Sequence, residues 1–259
     1  MATQNLLALT GNQLPHKYFV NQLGSHFKLS AVFVENVQYP DPAFNSDKER
    51  ETWKKFFLNR QETEESLLRF SKKYHTKNNP KTFNIEKGHL NHNKTLQLIR
   101  TFKPTIIVTF GTSLLGSKYL DLYPDRIINL HLGLSQFYRG SSCNFWPIFD
   151  LKPHLLGATV HFINKKIDGG NIVTQNTIDL DKNDSEYVLM TKTIILGTKL
   201  MIEAIKRTNT DLAMNRTPQN NGKLYQIKDF NPKAVMKVKN LVDSGKLKRK
   251  IELENIKLI

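Results

Sequence analysis

Asn129 and His131 are separated by one residue in the run Ile127-Ile128-Asn129-Leu130-His131. Alternate side chains of an extended strand share a face, so a strand there projects an amide and an imidazole the same way. An amide donor beside an imidazole can stabilise a developing oxyanion and move a proton. The same two side chains could do no more than close a strand end with hydrogen bonds. Further on, Ile167-Asp168-Gly169-Gly170 sets a carboxylate at a glycine turn, and Asp-Gly is equally ordinary hairpin chemistry. Between them lies a loop carrying Tyr138-Arg139-Gly140. His131, His154 and His161 do not form a recognised zinc spacing and Cys143 stands alone, so no bound metal is expected.

The elements that must carry these residues read as alternating strands and helices. Leu6-Leu7-Ala8-Leu9-Thr10 is a strand, Gly11-Asn12 a turn, and His16 to Leu23 an amphipathic helix. Leu29 to Glu35 follows as the next parallel strand of a βαβ unit. The segment after Gly11 lacks the G-x-G-x-x-G spacing, which argues against a nicotinamide enzyme. Ser46 to about Tyr74 is charge-dense with apolar residues at helical spacing, and reads as a lid or a surface helix pair, ended by the turn at Lys77-Asn78-Asn79-Pro80. A helix over Asn91 to Thr101 leads into the strand Thr105 to Phe110, closed by Gly111. A short helical piece, Ser113 to Leu122, then precedes the strand that ends at His131. Open parallel sheets present ligand-binding groups at such carboxyl ends.

Beyond Gly157, the runs Ala158 to Ile163 and Asn171 to Ile178 read as an antiparallel pair across the Asp-Gly-Gly turn. Asp184 or Ser185 caps a helix from Glu186 to about Arg207. The polar remainder from Pro218 is lysine-rich and partly helical after Pro232. It is a packing extension, an oligomer contact such as a homodimer's, or a phosphate-facing tail.

Length and composition set outer bounds. A chain of 259 residues suits one large α/β domain, here 1–215, with a short basic C-terminal extension, 216–259. Its 39% hydrophobic and 24% charged residues are those of a folded soluble protein. The start lacks the basic residues and cleavage site of a signal peptide, and no run nears the roughly 20 apolar residues of a membrane span. A lone cysteine agrees with a cytoplasmic location and no membrane partner. The 38 basic against 23 acidic residues give a net charge of +15, a surface that attracts phosphate, although lysine is abundant throughout. Charge alone does not choose among nucleotide, nucleic acid and acidic membrane.

The combined order is more specific than any piece: Asn129-x-His131, Tyr138-Arg139-Gly140, Gly157-Ala158-Thr159-Val160-His161-Phe162, Ile167-Asp168-Gly169-Gly170-Asn171-Ile172, then Gln175. It resembles the formyltransferases that use 10-formyltetrahydrofolate, a family that includes methionyl-tRNA formyltransferase, glycinamide ribonucleotide transformylase and the sugar-nucleotide N-formyltransferases. The likeness covers Thr105 to Gln175 and more loosely the N-terminal β-α-β region, and leaves about the last fifty residues uncovered. Leu132, Gly133 and Gln136 depart from the family's usual serine-leucine-leucine-proline stretch after the histidine.

The resemblance implies a doubly wound, mostly parallel, Rossmann-like α/β sheet and an N-formyltransferase whose catalytic set is Asn129, His131 and Asp168. Asn129 and a protonated His131 would hold the oxyanion formed when a neutral amine adds to the formyl carbon, and Asp168 would orient His131 and collect the amine proton. The folate co-substrate would lie along the strand and loop from Ile106 to Gly111, which include Ile107, Val108 and Phe110, with backbone groups reading the pterin and Phe110 and Leu114 packing on it or serving as ordinary core. Tyr138, Arg139, Asn144 and Trp146 are candidate acceptor contacts, Arg139 for a phosphate and Trp146 for a ring unless it is core. His16 is a further candidate for a phosphate or the acceptor, or a structural histidine at a helix start.

For the acceptor, the family's tRNA enzyme carries a C-terminal β-domain, for which the stretch after Pro218 reads as too short and too helical. The purine enzyme carries a glycine-rich phosphate loop near its start, which Gly11 alone does not make. A small-molecule acceptor, an amino sugar on a nucleoside diphosphate, is therefore expected. Hydrolysis of the formyl donor by the same three residues is an alternative, and a non-catalytic RNA-binding module is another.

Overall fold

The computed structural model describes residues 5–37, 42–68, 79–208, 217–218 and 222–256. Strand β1 (Leu6–Gly11) is buried along its whole length, as a central strand covered on both faces must be. Helix α1 (Leu14–His26) returns the chain to β2 (Leu29–Asn36), parallel to β1. Next come α2 (Asp47–Leu68), β3 (Lys81–Glu86), a single 3-10 turn at His89–Asn91, α3 (Asn93–Thr101), β4 (Ile106–Phe110), α4 (Ser117–Leu122) and β5 (Ile127–His131). After a two-strand side pairing through β6 (Tyr138–Gly140) and the short α5 (Trp146–Phe149), β7 (Gly157–Phe162) and β8 (Ile172–Thr177) complete the main sheet.

That sheet runs β3-β2-β1-β4-β5-β7-β8, its first five strands parallel and its last two antiparallel. The doubly wound, mostly parallel α/β class is therefore present. The period of two sorts the side chains between two cores. Leu7, Leu9, Ala31, Phe33, Ile107 and Ile127 meet Leu96 and Ile99 of α3 and Tyr119 of α4. On the other face Leu6, Ala8, Val32, Val108, Ile128 and Leu130 meet Phe19 and Leu23 of α1 and Met201 and Ile205 of α6 (Glu186–Thr208). Asn129 and His131 fall on the Ile127 side of β5, where the strand outruns α3 and α4.

A third cluster lies beside the sheet. The chain after α6 supplies β9 (Lys223–Tyr225), α7 (Pro232–Asp243) and α8 (Lys246–Ile256). Tyr225, Val235, Val238, Leu247 and Ile251 share a core with Phe56 of α2, Phe145, Trp146 and Leu189. Trp146 stacks on Tyr225 with ring centroids 4.2 Å apart. Strand β9 pairs in parallel with β6, joining residues about 85 positions apart in the chain. The described part of the expected 216–259 extension is thus built into the same packing as α2 and α5. Only one helix, α2, is described in the expected Ser46 to Tyr74 helix pair, and residues 69–74 and 257–259 lie outside the described residues. Among the described residues no helix is long and apolar enough to cross a membrane.

Candidate active site

Antiparallel pairing of β5 with β7 sets Asn129 directly opposite His161, and His131 opposite Thr159. The turn after β7 folds Asp168 back onto both rows. Its Oδ2 lies 3.3 Å from Nδ1 of His131, and its Oδ1 lies 3.4 Å from both Nδ2 of Asn129 and Nε2 of His161. Asn129 is held from its other end, where the Thr109 hydroxyl on β4 donates to Oδ1 at 2.8 Å. Its Nδ2 also donates to Nε2 of His161 at 3.1 Å. The Nδ1 of His161 faces the Phe162 carbonyl at 2.8 Å, so the ring carries its proton on Nδ1 and accepts on Nε2.

Both ring nitrogens of His131 face oxygens that can only accept: the Asp168 carboxylate and the Tyr138 carbonyl, 2.9 Å from Nε2. An imidazolium satisfies both at once. Burial alone pushes the Asp168 carboxyl up, but the charge on His131 and then the Gly140 N–H outweigh it. The result lies well below the usual carboxylate range. The Gly140 N–H reaches Oδ2 at 2.8 Å. Asp168 occupies the left-handed region at φ +45°, which a short polar residue tolerates better than most. Arg139 closes the turn from outside, donating from Nε to the Gly222 carbonyl at 2.9 Å and from Nη1 to the Ile167 carbonyl at 3.2 Å.

The three expected catalytic side chains are therefore brought into one cluster. His161 is a fourth member that the sequence reading did not single out. A histidine within the otherwise apolar and β-branched run Ala158-Thr159-Val160 was the available signal, but it has meaning only once β7 is known to pair with β5. The two histidines are buried, whereas Asn129 and Asp168 keep partial access to solvent. The long 3.4 Å bond from Asn129 to Asp168 is the weakest in the network, so its hydrogen is the one most readily passed to an incoming carbonyl oxygen.

Other expected contacts lie elsewhere. Ile107 and Val108 are fully buried, one in each core, so their side chains cannot line a ligand. Phe110 is core as well, its ring 5.3 Å from that of Phe19. Gly111 closes β4 at φ +69°, and Leu114 projects from the following loop with 66% of its surface exposed. Tyr138 turns its ring into the third cluster, where its hydroxyl donates to Asp150 at 3.2 Å. Trp146 is core in the same cluster, its indole N–H donating to the Ser141 carbonyl at 2.7 Å. The Asn144 amide is buried against the Met190 carbonyl at 3.5 Å. The polar atoms of Tyr138, Trp146 and Asn144 are thus already used inside the protein.

His16 is corrected too. The order of the sheet reverses at β1, and the crevice between the ends of β1 and β4 is where such folds receive phosphates. Here the imidazole fills it: a Cβ added at Gly11 would come within 2.7 Å of the ring, and one at Gly111 would overlap Nε2. Nδ1 accepts from the Gln13 N–H at 3.1 Å, the return half of a capping box. Burial, then the nearby Arg60 charge, lowers its pKa to about 3, so the ring is a neutral wedge and no anion ligand. The unfolded chain takes up a proton near 6.5 that the folded chain refuses, so stability falls as pH drops below 6.5. This group alone should remove about 1.4 kcal/mol between about pH 7.5 and about pH 5.5. Urea unfolding at those two pH values should show that component in the native chain and lose it in His16→Gln, which keeps an acceptor at the cap.

Residues 54–205, more than half of the chain, match the family model described as formyl transferase. Methionyl-tRNA formyltransferase of Desulforamulus reducens is 32% identical over 130 residues, covering 49% of this chain and 40% of that protein. The Natranaerobius thermophilus counterpart is 29% identical over 117 residues, covering 45% and 37%. The matched part is thus about two-fifths of those relatives' own length. Among solved structures, phosphoribosylglycinamide formyltransferase from Anaplasma phagocytophilum superposes with a TM-score of 0.58 at 15% identity, over 86% of this chain and 98% of the other. An N-formyltransferase from Helicobacter canadensis, solved with folinic acid and dTDP-3-aminofucose, gives 0.55 at 18% identity, over 87% and 72%. These two likenesses concern the fold, whereas the match over residues 54–205 bears on descent: the chain belongs to the formyl transferase family.

Proposed function

We propose that this chain transfers a formyl group from 10-formyltetrahydrofolate to a primary amine, and that the amine is an amino sugar carried by a nucleoside diphosphate. The observation that carries the reaction type is the convergence of Asn129, His131 and Asp168 at the end of β5. The amine nitrogen adds to the formyl carbon. The Asn129 N–H meets the oxygen as it becomes negative, a class of contact worth about 3–4 kcal/mol per donor, and His131, whose two ring nitrogens face Asp168 and the Tyr138 carbonyl, adds positive charge beside it. Asp168 receives the amine proton, directly or through a water, and the bond from carbon to the folate nitrogen then breaks, with that nitrogen taking a proton.

The acceptor reading is supported by charge around the site. Lys165 and Lys166 are exposed on the turn that ends in Asp168, with Arg139 folded against it, so an anionic substrate is drawn to that rim. The Helicobacter canadensis neighbour was solved with a nucleotide-linked amino sugar. Methionyl-tRNA is the second reading, favoured by the sequence relatives.

Turnover with 10-formyltetrahydrofolate should be followed against nucleotide-linked amino sugars, glycinamide ribonucleotide and methionyl-tRNA, measuring tetrahydrofolate and formylated product together. Formylated sugar is the expected result. Formylated methionyl-tRNA would replace the acceptor and keep the reaction. Tetrahydrofolate with free formate would mean hydrolysis, and no turnover together with a salt-sensitive RNA complex would favour a binding module.

A further inference from the structure

Glu35 stands at the end of β2, fully buried and outside the catalytic cluster. A carboxylate withdrawn from water persists only where other donors replace its hydration. Both oxygens here take backbone N–H groups from two separate loops: Oε1 from Gly88 at 2.7 Å and Oε2 from Ser113 at 2.6 Å. Gly88 leads directly into the 3-10 turn that carries Asn91. The Asn91 side chain crosses to the second loop, accepting from the Gly116 N–H at 2.7 Å and donating to the Leu114 carbonyl at 2.9 Å. A closed ring of side chain and backbone thus runs from Glu35 through residues 88–91 and 113–116 and back.

The braced loop, residues 111–116, has no helix or strand of its own and needs an external frame to hold one conformation. It leaves β4 two residues beyond Thr109, whose hydroxyl fixes Asn129. The Leu114 carbonyl is held while its apolar side chain stands in water.

We propose that Glu35 and Asn91 are positioning residues that preform the 111–116 loop as a wall for the formyl donor. This rests on the reading that the donor is a reduced folate bound beside β4. The donor's affinity then depends on the fraction of molecules whose loop is already in place, since that fraction divides directly into the apparent dissociation constant. Glu35→Gln keeps the volume but turns an NH2 group toward one of the two backbone N–H groups, removing a charged hydrogen bond and opposing donor to donor.

The test is calorimetric titration of the full chain with folinic acid, alongside steady-state kinetics. Glu35→Gln is expected to weaken folinic acid binding and raise the donor KM by about tenfold, with the acceptor KM and the kcat at saturating donor changing by less than about threefold. Asn91→Ala alters an exposed side chain that folding does not require, should shift the same constants in the same direction, and decides the matter if Glu35→Gln does not fold. A native chain that fails to bind folinic acid would overturn the donor reading and this proposal with it. Native binding with both variants within twofold, or with kcat and both KM values degraded alike, would overturn the positioning role alone.

Discussion

Asp168→Asn is expected to lower turnover by about a thousandfold while leaving the fold intact. The resolved polar contacts bring donors to both oxygens of this carboxylate: the Gly140 N–H and His131 on Oδ2, and the Asn129 NH2 on Oδ1. An asparagine can accept on one side only. With its oxygen kept toward Gly140 and His131, its NH2 group meets the NH2 of Asn129 and displaces the amide meant for the oxyanion. The negative charge facing His131 at 3.3 Å is lost as well. Stopped-time assays of the variant, with near-ultraviolet circular dichroism as the check on folding, measure this; activity within tenfold of the native chain would remove Asp168 from the chemistry. The sign of its pH effect is also set. A carboxyl held below its ordinary value contributes stability above the unfolded pKa of about 3.9 and loses it only as pH falls through the lower folded value. An acid limb in the activity near neutrality must then come from another group.

The second large effect is on stability. Gly170 follows the Asp168 turn, and a Cβ there would overlap the carbonyl oxygen of Phe162, a backbone atom that cannot swing aside. That carbonyl also accepts from Nδ1 of His161. Gly170→Ala should therefore destabilise the chain by about 3 kcal/mol or more and disturb His161 and Asp168 together. Urea unfolding read against residual activity checks it: loss of stability with full activity would mean that the turn can move without the site noticing.

Much of the sheet was legible because its strands obey simple patterns. The buried runs of β1, β2 and β4, the Asp-Gly-Gly turn between β7 and β8, and the long apolar stripe of α6 are local signals that tertiary packing had no reason to overrule. Strand β3 was not read. As an edge strand with only Phe83 and Ile85 partly covered, Lys81-Thr82-Phe83-Asn84-Ile85-Glu86 carries too little hydrophobic contrast. The three-residue strands β6 and β9 are too short to announce themselves.

The site divides in the same way. Asn129, His131 and Asp168 could be singled out from residue type and order, and the fold brings them together, whereas His161 depends on strand pairing. The side chains of Tyr138 and Asn144 read as substrate contacts, and that of Trp146 as one unless it is core, because part of what buries or bonds them, the core residues Tyr225 and Val235 and the Met190 carbonyl, comes from sequence 46 to 97 positions away. No local pattern reports such a partner. His16 was placed correctly at a helix start with two roles left open, and only the narrow gap between Gly11 and Gly111 selects the structural one, with the ring packed there as a neutral wedge.

The parallel pairing of β6 with β9 bears on the order in which the molecule is assembled. His131 leans on the Tyr138 carbonyl and Asp168 on the Gly140 N–H, and both of those residues belong to β6, the strand that β9 closes. A ribosome releases Asn129, His131 and Asp168 before it has made Lys223 to Tyr225. During that interval the nascent chain can fold most of its sheet while the carbonyl and amide that aim the histidine and the aspartate still lack their outer strand. The candidate site is thus among the last parts to settle, since its final contact waits for a segment about 85 residues further along the chain.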